Sequence, residues 1–215
     1  MPLEARPDKA ARYSVLVVST HDVARSVAAQ ALLLATVGDA DISVARAGSR
    51  AIAGQPPAER MRTLLQARGL EPAEATSTPL TAPMVRDADL VLAVARENRA
   101  AAVSLAPDAV RRSFTLRELA RLASLLASDG LGDVPADADV RARLSLLVAG
   151  APLARTRAVR SPEDDDVAEP RRMPGYRRAL AEIDDAVAAI VAAASSPRTT
   201  KPAPPIPSRD LSTPQ

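Results

Sequence analysis

Cysteine is absent from this 215-residue chain, and tryptophan with it. The first absence excludes disulfides, thiolate metal sites and any thiol nucleophile. One Phe and two Tyr leave aromatics at 1% of the residues, so the core must be built from Ala, Leu and Val. The same scarcity removes the aromatic platform on which single-stranded nucleic acid stacks. Lysine occurs at positions 9 and 201 alone, the other basic residues being Arg, and alanine is very abundant. This composition reflects a GC-rich genome before it reflects function. The net charge of +2 gives no polyanion footprint, so no nucleic-acid partner is expected. No apolar run approaches the ~20 residues of a membrane span, and the opening MPLEARPDKAARYS lacks the apolar stretch of a signal peptide. The expectation is a cytoplasmic protein with no membrane partner and no cofactor.

What is present is ordinary for one globular α/β domain: 47% hydrophobic and 25% charged residues. Residues 1-12 are polar, and 195-215 is Pro-rich with too few apolar side chains to offset its ordering entropy. Both are expected to be disordered, leaving a folded domain over 13-194. Within it strands and helices alternate. Ser14 to Ser19 is a continuous β-branched apolar run, as in a strand buried on both faces of a parallel sheet. A helix is predicted over 23-36, ending near Gly38. A strand follows at Ile42 to Ala47, then a helix from Pro57 to Ala67 closed by Gly69 and a short one from Leu80 to Arg86. Leu90 to Val94 reads as a further strand and Arg96 to Leu105 as a helix stopping before Pro107. Phe114 ends a short last strand, and Thr115 with Glu118 forms a capping box for a helix reaching about Ser128. Residues 129-168 are less regular, with a helical piece at about 138-148, and an amphipathic helix spans 173-194. The repeated strand-helix unit predicts a three-layer, doubly wound sheet of about four parallel strands.

In such a sheet ligands sit beyond the carboxyl ends of the strands, and the first strand-to-helix loop is the usual anion site. That loop is Ser19-Thr20-His21-Asp22-Val23-Ala24-Arg25-Ser26. An Arg followed by a Ser at a helix entrance suits a phosphate, because a guanidinium binds two oxygens of an oxyanion in parallel. Those two residues alone read better as a first-turn surface Arg and a cap.

The wider pattern resembles the low-molecular-weight protein tyrosine phosphatase family, whose first strand runs into a Cys, five residues, an Arg and a Ser. Here the matching run is Val15 to Ser19, Thr20 to Ala24, then Arg25-Ser26. Further matches follow in order: Arg46-Ala47-Gly48-Ser49, Arg68-Gly69-Leu70, Leu80-Thr81, Asp87 to Leu92, Arg96-Glu97-Asn98-Arg99 and Phe114 to Glu118. The resemblance extends from about residue 13 to 194. It implies a phosphate-binding loop made of Thr20, His21, Asp22, Val23, Ala24, Arg25 and Ser26. It also implies thiolate attack on a phosphomonoester and protonation of the leaving oxygen by an Asp in an Asp-Pro pair.

Three departures bear on that chemistry. The nucleophile position is Ser19, whose hydroxyl stays protonated near neutrality unless a base takes its proton. The family's loop Gly and Asn are His21 and Asp22, which should resist positive φ and set a carboxylate against an incoming phosphate. The general-acid position is Glu169, before Pro170, one methylene longer than Asp. The acidic run Glu163 to Asp166 is expected to be a solvated loop and not a metal site. The chain therefore reads as a catalytically impaired family member, a pseudophosphatase binding phosphate or a phosphorylated protein. The alternative is a phosphomonoester hydrolase using Ser19 or His21 as nucleophile with Glu169 as acid. An arsenate-reductase-like activity is disfavoured by the lack of cysteine, and the Pro-rich tail could serve a partner.

Overall fold

In a computed structural model of the chain, the described residues are 12–38, 40–72, 74–129, 138–158 and 165–195. Apart from Arg12 and Ser195, the two segments expected to be disordered lie outside them, as do Glu163 and Asp164. Four strands, β1 (Tyr13–Ser19), β2 (Ile42–Gly48), β3 (Leu90–Ala93) and β4 (Ser113–Thr115), form one parallel sheet in the order β2-β1-β3-β4. The helices are α1 (Arg25–Val37), α2 (Glu59–Gln66), α3 (Ala82–Asp87), α4 (Arg96–Leu105), α5 (Leu116–Asp129), α6 (Val140–Ala154) and α7 (Met173–Ser195), with a 3-10 turn at Pro107–Arg112. The three-layer parallel fold expected from the sequence is the fold observed.

The continuous apolar character of β1 has a direct cause. Tyr13, Val15 and Val17 face a core that includes α1, α2, α5, α6 and α7, while Leu16 and Val18 face a smaller one built with Val85, Val91, Ala102 and Ala109. A strand with apolar packing on both faces has no polar side to alternate with. Phe114, the single Phe, is fully buried on β4, and the Arg155 guanidinium lies 4.6 Å from its ring centroid. The capping box forms as read. The Glu118 amide donates to Thr115 Oγ1 at 3.1 Å, and the Thr115 amide donates to Glu118 Oε2 at 3.3 Å.

Helices α2 and α3 each start two residues later than expected, at Glu59 and Ala82, and two further differences shape the core and the loop. The helical piece placed at about 138-148 runs to Ala154 and carries Pro152 in its last turn. Burial of Leu144, Leu147, Val148, Ala151 and Ala154 against the larger core outweighs the lost backbone bond. The first helix starts at Arg25 and not at 23, so residues 20 to 24 remain free to shape a loop. No helix among the described residues is long and apolar enough to cross a membrane.

Candidate functional site

β1 is central, and its carboxyl end delivers Ser19 into the loop that becomes the N-terminus of α1. Helix α1 has no side-chain cap at Ala24 and no acidic residue in its first turn. Its leading amides and positive dipole end are therefore open to an anion. Among the described residues the His21, Val23 and Ala24 amides donate to no protein acceptor. The loop is closed from below. Ser49 and Arg50 amides donate to the Ser19 and Thr20 carbonyls at 2.8 Å each, and the Ala58 amide donates to the Val23 carbonyl at 2.7 Å. Gly48 allows this approach: a Cβ there would lie 2.9 Å from both the Asp22 nitrogen and the Thr20 oxygen.

Asp22 corrects two expectations. It is the one non-glycine described residue with positive φ, at 57°, so the left-handed position falls on Asp22, a type that tolerates it, and His21 is spared. Its carboxylate does not confront the ligand side as a bare charge. Asp22 is 1% exposed, and its Oδ2 receives Arg46 Nη1 at 2.8 Å and the Thr78 amide at 2.9 Å. Arg46 Nη1 also donates to the Asp22 carbonyl at 2.8 Å, and Arg46 bonds the Ala75 carbonyl and Gln30. A buried carboxylate is tolerated here because a cation and an amide balance it.

The Ser19 hydroxyl, 2% exposed, donates to Ser26 Oγ at 2.9 Å and accepts from the Asp22 amide at 3.1 Å. Ser26 Oγ donates to Asp22 Oδ1 at 2.8 Å. Thr20 Oγ1 joins the second ring of contacts. It accepts from Arg25 Nη2 at 3.1 Å and from Asn98 Nδ2 at 3.2 Å, and lies 3.1 Å from Glu97 Oε1. Asn98 Nδ2 also reaches Ser49 Oγ at 3.1 Å, and its buried Oδ1 has no partner among the described residues.

Arg25 is 4% exposed. Burial pushes its guanidinium below the ordinary arginine value, an effect opposed by Glu97 and Asp166. Nη1 donates to the Val167 carbonyl at 2.7 Å, and Nη2 is ion-paired with Glu169. The predicted arginine and the predicted acid thus meet directly. The carboxylate, on a side chain 47% exposed, sits on the guanidinium that would otherwise hold phosphoryl oxygens. An open cleft of about 350 Å³ adjoins them, lined by Arg25, Ala95, Arg96, Glu97 and residues 166-169.

The segment carrying Glu169 is tied down by the residues read as a solvated acidic loop. Asp165 is 1% exposed and paired with Arg121 at 2.7 Å; the Val167 amide donates to the Val94 carbonyl at 2.9 Å. Asp166 accepts from Arg96 Nη2 at 3.0 Å. Burial pushes its carboxyl upward, but the Arg96 hydrogen bonds outweigh this and hold it below the ordinary aspartate value. For Asp165, pairing with Arg121 replaces the solvation expected from the sequence, whereas Asp166 stays partly exposed beside Arg96. No group of three or more metal-ligating side chains occurs among the described residues. His21 is exposed and makes no side-chain hydrogen bond among them.

Sequence reasoning placed Ser19, Thr20, Arg25, Ser26 and Glu169 in one site, and the structure brings them together. It missed Arg46, Asn98 and Val167 as its support. Arg46 stands in β2, 24 residues from Asp22, so no local pattern pairs the two.

A parallel α/β sheet with a buried arginine and open amides beyond its central strand is an arrangement suited to an oxyanion. Residues 14–126 match the model of the low molecular weight phosphotyrosine protein phosphatases, and the chain belongs to that family. Solved structures share the fold. The tyrosine phosphatase amsI of Erwinia amylovora is 17% identical with a TM-score of 0.62, over 86% of this chain and 95% of its own. The YwlE arginine phosphatase of Geobacillus stearothermophilus is 22% identical with a TM-score of 0.59, over 83% and 90%. A cysteine-to-serine mutant of a YwlE arginine phosphatase, with a phosphorylated active-site serine, is 19% identical with a TM-score of 0.59, over 83% and 93%. No curated protein matches the chain.

Proposed function

We propose that this chain is a cytoplasmic, catalytically impaired family member that binds phosphate or a phosphorylated protein through Thr20 to Ser26. The observation that carries this reading is the Ser19 oxygen. It stands at the end of β1 where the resemblance calls for a thiolate, and its partners are those of a neutral hydroxyl giving its proton to Ser26. A hydroxyl so placed supplies no preformed anion for attack. The rest of the loop keeps the features an anion needs: uncapped α1, unpaired loop amides and a buried Arg25. The Arg25–Glu169 pair adds a competition, since an incoming phosphate must displace a carboxylate. The phosphorylated serine of the YwlE mutant supports the view that a serine at this place is compatible with a phosphoryl group in the loop.

Calorimetric titration with inorganic phosphate tests the reading, run beside a p-nitrophenyl phosphate assay. Saturable binding is expected, weakened at least about tenfold in Arg25→Ala, the scale of one or two charge-assisted bonds. Glu169→Gln should tighten it, because the competing charge is gone. Absence of binding would remove the ligand from the proposal, and sustained Ser19-dependent release of nitrophenol would overturn the impairment.

A further inference from the structure

Around the loop stand arginines that the protein itself does not neutralise. The Arg50 amide is bonded to the Thr20 carbonyl, and the Ala58 amide, just before α2, to the Val23 carbonyl, so Arg50 and Arg60 stand at different edges of the loop. Arg60 Nη1 donates to the Arg171 carbonyl at 3.2 Å, which ties α2 to the turn that follows Glu169. That turn continues from buried Pro170 into Arg171 and Arg172, both exposed. Among the described residues the side chains of Arg50, Arg171 and Arg172 meet no partner, and Arg60 meets only that carbonyl. The acids of the same rim are mostly answered: Glu59 by Arg62 at 2.5 Å, Asp166 by Arg96 at 3.0 Å and Glu169 by Arg25. Glu97, whose Oε1 lies 3.1 Å from Thr20 Oγ1, is the acid of this rim left without an ion pair among the described residues. The mouth therefore carries an excess of positive charge that a single phosphate in the loop, already met by Arg25 and the α1 amides, does not use.

We infer that the ligand is a phosphorylated peptide segment with acidic neighbours, its phosphate in the loop and its flanking carboxylates on Arg50, Arg60, Arg171 and Arg172. The inference rests on the loop being the phosphate site proposed above. Guanidinium groups on long side chains suit carboxylates, and their positions at different edges of the loop suit acids on both sides of the phosphorylated residue. The acidic flanks also offset a cost. A phosphate must displace the Glu169 carboxylate from Arg25, and inorganic phosphate is too small to reach the rim for compensating attraction. A peptide reaches both. The cleft beside Arg25 is lined by Ala95, Arg96, Glu97 and residues 166-169, with no aromatic side chain among them, so it offers nucleic-acid bases no stacking face. Charge at the phosphate and on its flanks is what this surface recognises.

The experiment measures fluorescence anisotropy of labelled peptides on the full chain: a phosphoserine peptide flanked by aspartates, the same peptide flanked by alanines, and the aspartate peptide without phosphate. Calorimetry with inorganic phosphate is run on the same preparation. At low salt the acidic phosphopeptide should bind at least about tenfold tighter than the neutral one, and the gap should narrow as salt screens the rim. Arg171→Ala combined with Arg172→Ala should weaken the acidic phosphopeptide by about fivefold and the neutral one by less than about twofold, the scale of exposed charge pairs. Arg25→Ala should weaken both phosphopeptides. Phosphate binding with equal affinity for the two phosphopeptides, or a gap that the paired arginine variant leaves in place, would overturn the acidic-flank reading and leave the phosphate site intact. Equal binding of the acidic peptide without its phosphate, or stronger binding of a short single-stranded RNA, would overturn it too. Binding of neither inorganic phosphate nor any peptide would overturn both.

Discussion

The floor of the loop and its mouth are built on different principles. In the floor, Ser19, Asp22, Ser26 and Arg46 are all buried, and the one full negative charge is met by the one full positive charge. At the mouth the pairs join a less exposed arginine to an exposed carboxylate, as with Arg25 and Glu169, or are half open on both sides, as with Arg96 and Asp166. A buried pair is weak evidence for stability when both members are considered together, yet losing one member is costly because the other stays buried and charged. An exposed pair is screened by water and salt and contributes little. The floor therefore sets loop geometry and tolerates paired changes, whereas the mouth sets access and tolerates single ones.

Urea unfolding of Arg46→Met probes the floor most severely. It should lose about 3–5 kcal/mol, with much of this recovered when Asp22→Asn is added. A loss no larger than that of a surface pair would erase the contrast between floor and mouth. Gly48→Ala sharpens it from the steric side. The new methyl would meet Ala51 Cβ at 2.7 Å and the loop backbone at 2.9 Å, so a loss of about 1–3 kcal/mol is expected in the same assay. The smallest effect belongs to Asp166→Asn, below about 1 kcal/mol and diminishing with added salt. Its sign with pH is fixed by the depressed folded value of Asp166. The contribution is fully present above the ordinary aspartate value of about 3.9 and is lost as pH falls through the folded value. The stability difference between Asp166→Asn and the native chain should therefore close on acidification.

Features governed by local pattern were legible in the sequence. The buried run of β1, the Thr115–Glu118 box and the order of strands and helices follow from hydrophobic period and capping chemistry, and each appears where read. The site was legible where it is contiguous, from Ser19 to Ser26. What escaped depends on contacts between distant segments. Asp22 read alone is an intruding charge; beside Arg46, 24 residues on, it is half of a neutral unit. Asp165 read alone belongs to water; beside Arg121 it is buried. Glu169 was read into the site from the sequence, but its hold on Arg25 arises because the Val167 amide ties that segment to the Val94 carbonyl at the end of β3.

The direction of one proton makes this loop a poor host for a thiolate. The Ser26 hydroxyl has a single hydrogen, and Asp22 has claimed it. A thiol introduced at position 19 would face an oxygen already committed elsewhere, so it would gain the Asp22 amide as donor but lack the hydroxyl donor that helps hold a sulfur anion. Releasing that hydrogen requires changing Asp22, and changing Asp22 strands Arg46. Asp22, Ser26 and Arg46 thus act as a unit, and a change at position 19 alone leaves their hydrogen bonds pointing away from it.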